Sequence, residues 1–105
     1  MIRHIVMFQL KEHALGKPAL ENALEAKRKF YELAGRIPSL RRFEVGINSE
    51  EAPGDNFHIV LVCEFEDAAG LNAYQDHPAH MEFGDFMSRI REKRACIDYE
   101  FQGAQ

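Results

Sequence analysis

The sequence predicts an α+β fold with the element order strand, helix, strand, strand, helix, strand. Its apolar residues recur every two positions in four segments and every three to four positions in the others. Segments 2–10 and 57–66 are apolar on both faces, whereas 40–48 and 95–101 have one clearly apolar face. This pattern is typical of the ferredoxin-like arrangement, a four-stranded antiparallel sheet whose first and third strands are central and whose helices cover one face.

The composition indicates one globular domain over residues 1–105, with 46% hydrophobic and 29% charged residues. A net charge of −4 without a predicted basic face argues against nucleic acid as a partner. No apolar run is long enough to span a membrane, and the N-terminus lacks a signal-peptide cleavage pattern. The two cysteines have no CxxC spacing and are typical of free thiols. We therefore expect a cytoplasmic protein.

The first half of the chain begins with the strand over 2–10, rich in Ile, Val, Met and Phe. A loop is predicted over 11–17. Pro18 is suited to begin a helix, and apolar residues then follow helical spacing up to Ala34. Gly35 is a suitable stop for this helix before the next strand.

The second half continues with a polar segment, 48–56, which predicts a hairpin loop before the strand over 57–66. Asp67 is a suitable N-cap for a short helix over 68–74. Another helix is predicted over 79–93, and its basic C-terminal run is interpreted as solvated helix surface. The predicted strand over 95–101 ends the pattern.

Two helices can cover only one face of such a sheet, so the other face of its central strands needs a second cover. We expect this face to carry the apolar residues of odd number, which are Ile5, Met7, Ile59, Leu61, Cys63 and Phe65. A second copy of the chain would bury them. The sequence therefore predicts a homodimer packed sheet to sheet.

Residues 74–80, Tyr-Gln-Asp-His-Pro-Ala-His, place a phenol, two imidazoles and a carboxylate close together. Pro78 lacks an N–H and biases His77 away from helical dihedrals, so a helix must stop or kink here. The break can direct Tyr74 and His80 at one space from two helical segments. His80 is then a candidate general base, and Tyr74 a candidate donor to a developing oxyanion. The alternative is a kinked helix without chemistry.

His4 and His58 are lone imidazoles on the central strands and are both followed by valines. If they face the helices, they would line one ligand pocket with the acid–base pair, next to Val6 and Val60. Alternatively, each is a core histidine with satisfied hydrogen bonds. The His-x-x-His spacing at the break is too weak to predict a metal site, and no phosphate-binding loop is present. We therefore expect neither metal nor cofactor.

Five segments of the chain, in order and at natural spacing, resemble the stress-responsive A/B barrel domain family. They are residues 1–8, 43–46, 57–60, 74–80 and 97–99. The resemblance implies a dimeric α+β barrel and implies no single activity, because many members have none assigned. The Tyr-x-x-His-Pro-x-His element is its most specific part.

This element is also similar to that of one family member, a plant polyketide cyclase that makes olivetolic acid. That similarity implies a catalytic pair at Tyr74 and His80, and pocket histidines at His4 and His58. Three functions stay open. They are a protein that binds a small apolar or aromatic carbonyl compound, a cofactor-independent cyclase or lyase, and a non-catalytic structural or stress-linked dimer. The sequence does not identify the ligand or substrate.

Overall fold

A computed structural model describes residues 1–103, so 104–105 of the predicted domain lie outside the described part. Its elements are β1 Ile2–Leu10, β2 His13–Ala14, β3 Lys17–Pro18, α1 Ala19–Ala34, β4 Arg42–Ile47, β5 Ile59–Phe65, α2 Ala68–Asp76, α3 Pro78–Ile90 and β6 Arg91–Glu100. Four strands form an antiparallel sheet in the order β4-β5-β1-β6. The predicted ferredoxin-like fold is confirmed, with β1 and β5 central. None of the described helices combines the length and apolarity that a membrane crossing requires.

The predicted loop over 11–17 contains a short hairpin formed by β2 and β3. Leu15 and Gly16 take positive φ angles of 53° and 75° at its tip, as tight two-residue hairpins require. The buried Asn22 side chain donates hydrogen bonds to the carbonyls of Ala14, at 2.9 Å, and Lys17, at 3.3 Å. These bonds fix the hairpin against the first turns of α1.

The predicted helix over 79–93 is wrong at its C-terminal end, because α3 stops at Ile90 and β6 follows without a loop. Arg91 is already extended, with φ −81° and ψ 145°. Charged residues there favour a helix by propensity, but pairing with the whole length of β1 outweighs that local preference. The last strand therefore begins four residues before the predicted position, and the basic run at 91–94 lies on the sheet.

The predicted division of residues between the two sheet faces is wrong for β5. Residues directly opposite in a pair share a face, and β1 pairs His4 with Cys63 and Val6 with Leu61. An odd residue of β5 therefore stands opposite each even residue of β1. The face under the helices carries a buried set, namely His4, Val6, Phe8, Ile59, Leu61, Cys63 and Phe65.

The opposite face of the sheet has no helix over it. Its central and edge strands present a largely apolar set, namely Ile5, Met7, Val60, Val62, Ala95, Ile97 and Tyr99. Met7 keeps 40% of its surface exposed and Ile97 keeps 59%. An uncovered apolar face is thus present as predicted, but β5 contributes valines to it instead of the expected residues.

Candidate functional site

The site is built around the break between α2 and α3. His77 is extended, with φ −67° and ψ 136°, and its N–H still bonds the Tyr74 carbonyl at 3.2 Å. Its ring Nδ1 accepts a hydrogen bond from the Ala79 N–H at 3.0 Å, which caps α3, and Pro78 occupies the first position of that helix. His77 therefore holds the break in place, and its ring bonds the backbone there.

Tyr74 and His80 meet across this break. Tyr74 belongs to the last turn of α2 and is 1% exposed, whereas His80 lies in the first turn of α3 and is half-buried. Their ring centroids are 4.4 Å apart, with an angle of 57° between the ring planes. The two side chains converge on one space from two helices, as the proline predicts.

The His80 ring is oriented by main chain. Its Nδ1 lies 3.2 Å from the Gln75 carbonyl oxygen, which only accepts hydrogen bonds, so we assign the proton to Nδ1. Burial lowers the pKa of His80, and the nearby His4 and Arg94 lower it further, against the opposing effect of the Gln75 carbonyl. The neutral ring therefore presents an unprotonated Nε2, the form that a general base needs.

Tyr74 remains a neutral hydrogen-bond donor. Burial raises the pKa of its hydroxyl well above the ordinary value, and the adjacent Cys63 thiol raises it further. Burial also raises the pKa of Cys63 to about 12, so the pair carries no charge near neutral pH. Tyr74 packs its ring against His80, while the Gln75 carbonyl bonds the imidazole.

A second imidazole, His4, is held by a carboxylate across the sheet. His4 on β1 stands opposite Asp98 on β6, and its Nδ1 lies 2.5 Å from Asp98 Oδ1. The His4 side chain is 3% exposed and that of Asp98 is 44% exposed. Since a carboxylate accepts, Nδ1–H donates and the tautomer of His4 is fixed. Sequence reasoning missed Asp98. The alternation of the last strand showed that Asp98 lies on its more polar face. Which side of the sheet that face occupies is known only from the pairing of β6 with β1.

Cys96 lies next to this pair, with its Sγ 3.5 Å from His4 Nδ1. One ligand atom each from His4, Cys96 and Asp98 falls within a 4.8 Å group, which is the kind of cluster that can hold a metal ion. The short His4–Asp98 contact, however, uses the nitrogen and the oxygen that an ion would need. The arrangement therefore favours a hydrogen-bonded pair.

Tyr74, His80 and His4 line a cavity of about 180 Å³ between the sheet and the helices. The structure brings together four of the predicted site residues around it: His4, Val6, Tyr74 and His80. The rest of the lining consists of Phe8, Leu61, Phe83, Gly84, Met87, Arg91 and Arg94. A chamber lined by apolar side chains together with histidine, tyrosine and arginine suits a small ligand that has an apolar part and accepts hydrogen bonds.

His58 and Val60 do not line this cavity, so their predicted placement there is wrong. His58 precedes β5, where its Nδ1 accepts a hydrogen bond from the Leu10 N–H at 2.9 Å. That N–H sits at an irregularity in the pairing of β1 with β6, and the imidazole satisfies it. Val60 stands opposite Met7 on the uncovered face, where both line a separate concavity. The predicted face of Val60 is wrong because of the register of β5, whereas His58 lies outside the cavity because it precedes this strand.

The fold and the site define a small ferredoxin-like α+β protein with a Tyr–His cavity between its sheet and helices. The chain belongs to the stress responsive A/B barrel domain (Dabb) family, which matches residues 2–101. The resemblance to this family noted from the sequence is thereby confirmed.

Similar solved structures agree with this assignment. A dimeric ferredoxin-like protein of unknown function from Bacteroides fragilis is 35% identical over 95% of both chains, with a TM-score of 0.76. A Dabb family protein from Mesorhizobium loti is 33% identical over 97% of both chains, with a TM-score of 0.64. A hydroxynitrile lyase from Passiflora edulis, at 17% identity, covers 99% of this chain and 95% of its own, with a TM-score of 0.77. That likeness shows the fold alone. No curated protein matches the chain.

Proposed function

We propose that the chain forms a homodimer that binds a small carbonyl compound in the cavity between the sheet and the helices. The observation that carries this proposal is that an unprotonated His80 Nε2 and a protonated Tyr74 phenol lie side by side in the cavity lining. A carbonyl group accepts a hydrogen bond from a phenol, and the acidic C–H next to it matches a base.

The cavity limits the size of the ligand. A cavity of about 150 Å³ in another protein holds one benzene molecule. The volume of about 180 Å³ found here therefore suits a compound of roughly one ring with short substituents. A polyketide with a long alkyl chain does not fit this space, which argues against the substrate of the plant cyclase.

The homodimer is supported by the uncovered sheet face, which would leave Met7 and Ile97 in water in a monomer. The similar protein from Bacteroides fragilis is dimeric. In a sheet-to-sheet dimer the helices lie on the outside, so each cavity stays accessible.

A second candidate function, cofactor-independent proton transfer, is favoured by the orientation of His80. Its Nε2 would take a proton from the carbon next to the ligand carbonyl. The C–H bond breaks, its electron pair forms the enolate, and Tyr74 donates a hydrogen bond to the enolate oxygen. The enolate then regains a proton or attacks a second carbonyl, which is the first half of an aldol-type cyclisation or lyase reaction.

Both functions are tested with acetophenone, a methyl ketone with one ring. We expect it to shift the NMR signals of Tyr74, His80 and Met87, and the protein to catalyse exchange of its methyl protons for deuterium. His80→Gln should abolish the catalysed exchange while the dimer persists. His13→Gln, which changes an exposed histidine on β2, is the matched control. If acetophenone binds but no exchange is catalysed, only the binding function is supported. If acetophenone neither binds nor exchanges, the protein is a structural dimer without this site.

A further inference from the structure

We propose that Arg91 and Arg94 form an anion subsite at the mouth of the cavity, and that the natural ligand is a carbonyl compound bearing a carboxylate. This inference rests on the proposed ligand-binding function and names the chemical class of the ligand. It starts from the junction where α3 passes directly into β6, which places both arginines in the cavity lining.

The two arginines have no acidic partner among the described residues. The ion pairs there involve Arg3, His4, Arg28, Lys29, Arg41 and Arg89, and none includes Arg91 or Arg94. Asp98, which lies on the same face of β6 as Arg94, is already bonded to His4. Neither arginine is therefore neutralised by a carboxylate in the described part of the chain.

The cavity wall has an unusual charge for this chain. Its polar lining residues are two arginines, two histidines and one tyrosine, without any aspartate or glutamate. The chain as a whole carries a net charge of −4. A local cationic wall on an acidic protein repels cations and attracts anions at this one place. A guanidinium fork also matches the two oxygens of a carboxylate.

The position of Arg94 fits a ligand that touches the acid–base pair as well. Arg94 stands opposite Phe8 on β1, two residues from Cys96 along the same face of β6. Its charge contributes to lowering the pKa of His80 and opposes the burial that raises the pKa of Tyr74. A compact ligand can thus place its carboxylate on the arginines and its carbonyl beside Tyr74.

An alternative reading is that the arginines only cover the apolar mouth with their aliphatic stems. Arg91 is half-buried and Arg94 exposed, which either reading allows. The two differ in a measurable way, because a covering role needs the stem and an anion subsite needs the charge. Methionine keeps an apolar stem without the charge, so Arg→Met variants separate the two roles.

The test compares phenylglyoxylate with its neutral amide, phenylglyoxylamide, by NMR titration of the full chain. We expect the wild type to bind the acid at least about tenfold more tightly than the amide, since hydrogen bonds to charged groups are the stronger class. The double variant Arg91→Met/Arg94→Met should bring this ratio close to one, with the larger loss of affinity for the acid. Added NaCl should weaken binding of the acid only.

Arg89→Met is the matched control, because Arg89 is exposed, pairs with Asp85 on α3 and does not line the cavity. An equal loss of acid binding in this control would overturn the inference by indicating a general effect of surface charge. Equal affinity of the wild type for acid and amide would overturn it too, and the carbonyl-binding function would stand. Binding of neither probe would refute both. If inorganic phosphate displaces the acid and binds more tightly, the carboxylate class is wrong.

Discussion

The hydrogen bond between His4 and Asp98 makes a sharp prediction about stability. Asp98→Ala removes the acceptor of a buried Nδ1–H, whose side chain is 3% exposed. The remaining neighbour is the Cys96 sulfur at 3.5 Å, which is a weak acceptor. Leaving a buried donor unsatisfied costs about 1–3 kcal/mol. The Asp98 side chain is 44% exposed, so water can partly replace the acceptor in the variant. We therefore expect the free energy of unfolding to fall by about 1–2 kcal/mol.

Urea denaturation at one fixed protomer concentration measures this change, because dimer stability depends on concentration. With a slope of about 1–1.5 kcal/mol per molar urea for a domain of this size, the midpoint should fall by about 1 M. Asp98→Asn should cost less than Asp98→Ala, because an amide oxygen still accepts from Nδ1–H. Glu100→Ala is the control, since Glu100 shares this face of β6, is exposed, and forms no side-chain hydrogen bond found in the described part of the chain. If Asp98→Ala and Glu100→Ala behave alike, the His4–Asp98 bond does not stabilise the fold.

Two further predictions concern the acid–base site and the dimer. Because burial lowers the pKa of His80 from its ordinary 6.5, the rate of catalysed exchange should fall as the pH drops through an inflection that lies below 6.5. A pH–rate profile with an inflection above 6.5 would exclude neutral His80 as the base. Ile97→Glu places a charge on the uncovered sheet face and should shift the chain from dimer to monomer in analytical ultracentrifugation. Leu24→Glu, on the exposed side of α1 with 53% of its surface in water, should leave the dimer intact.

Sequence reasoning succeeded where the determining physics is local. Pro78 dictates the break through its missing N–H and its steric effect on His77, so the convergence of Tyr74 and His80 was predictable from seven residues. The order of the elements and the central position of β1 and β5 followed from apolar periodicity in the same way.

Prediction from the sequence failed where the sheet face of a residue depends on how the strands pair. The sequence shows which alternate residues of each strand share a face. Which set of β5 residues lies on the same side of the sheet as the even residues of β1 depends on the register between the strands, and no local signal determined it. This single error put Val60 on the wrong side of the sheet. Asp98 was missed for a related reason, since its role exists only through its position opposite His4. The start of β6 at Arg91 was missed because helix-favouring side chains occupy a strand that β1 stabilises.

The direct passage from α3 into β6 also restricts how the chain length can vary. With no loop between Ile90 and Arg91, one inserted or deleted residue at this point would reverse the face of every downstream side chain of β6 or disrupt its pairing with β1. Asp98 would then leave His4, and Arg94 would leave the cavity. The segment between β4 and β5 has no such restriction, because it lies between two paired strand ends and is mostly exposed. We therefore expect insertions to be tolerated at 49–56 and not at the helix–strand junction.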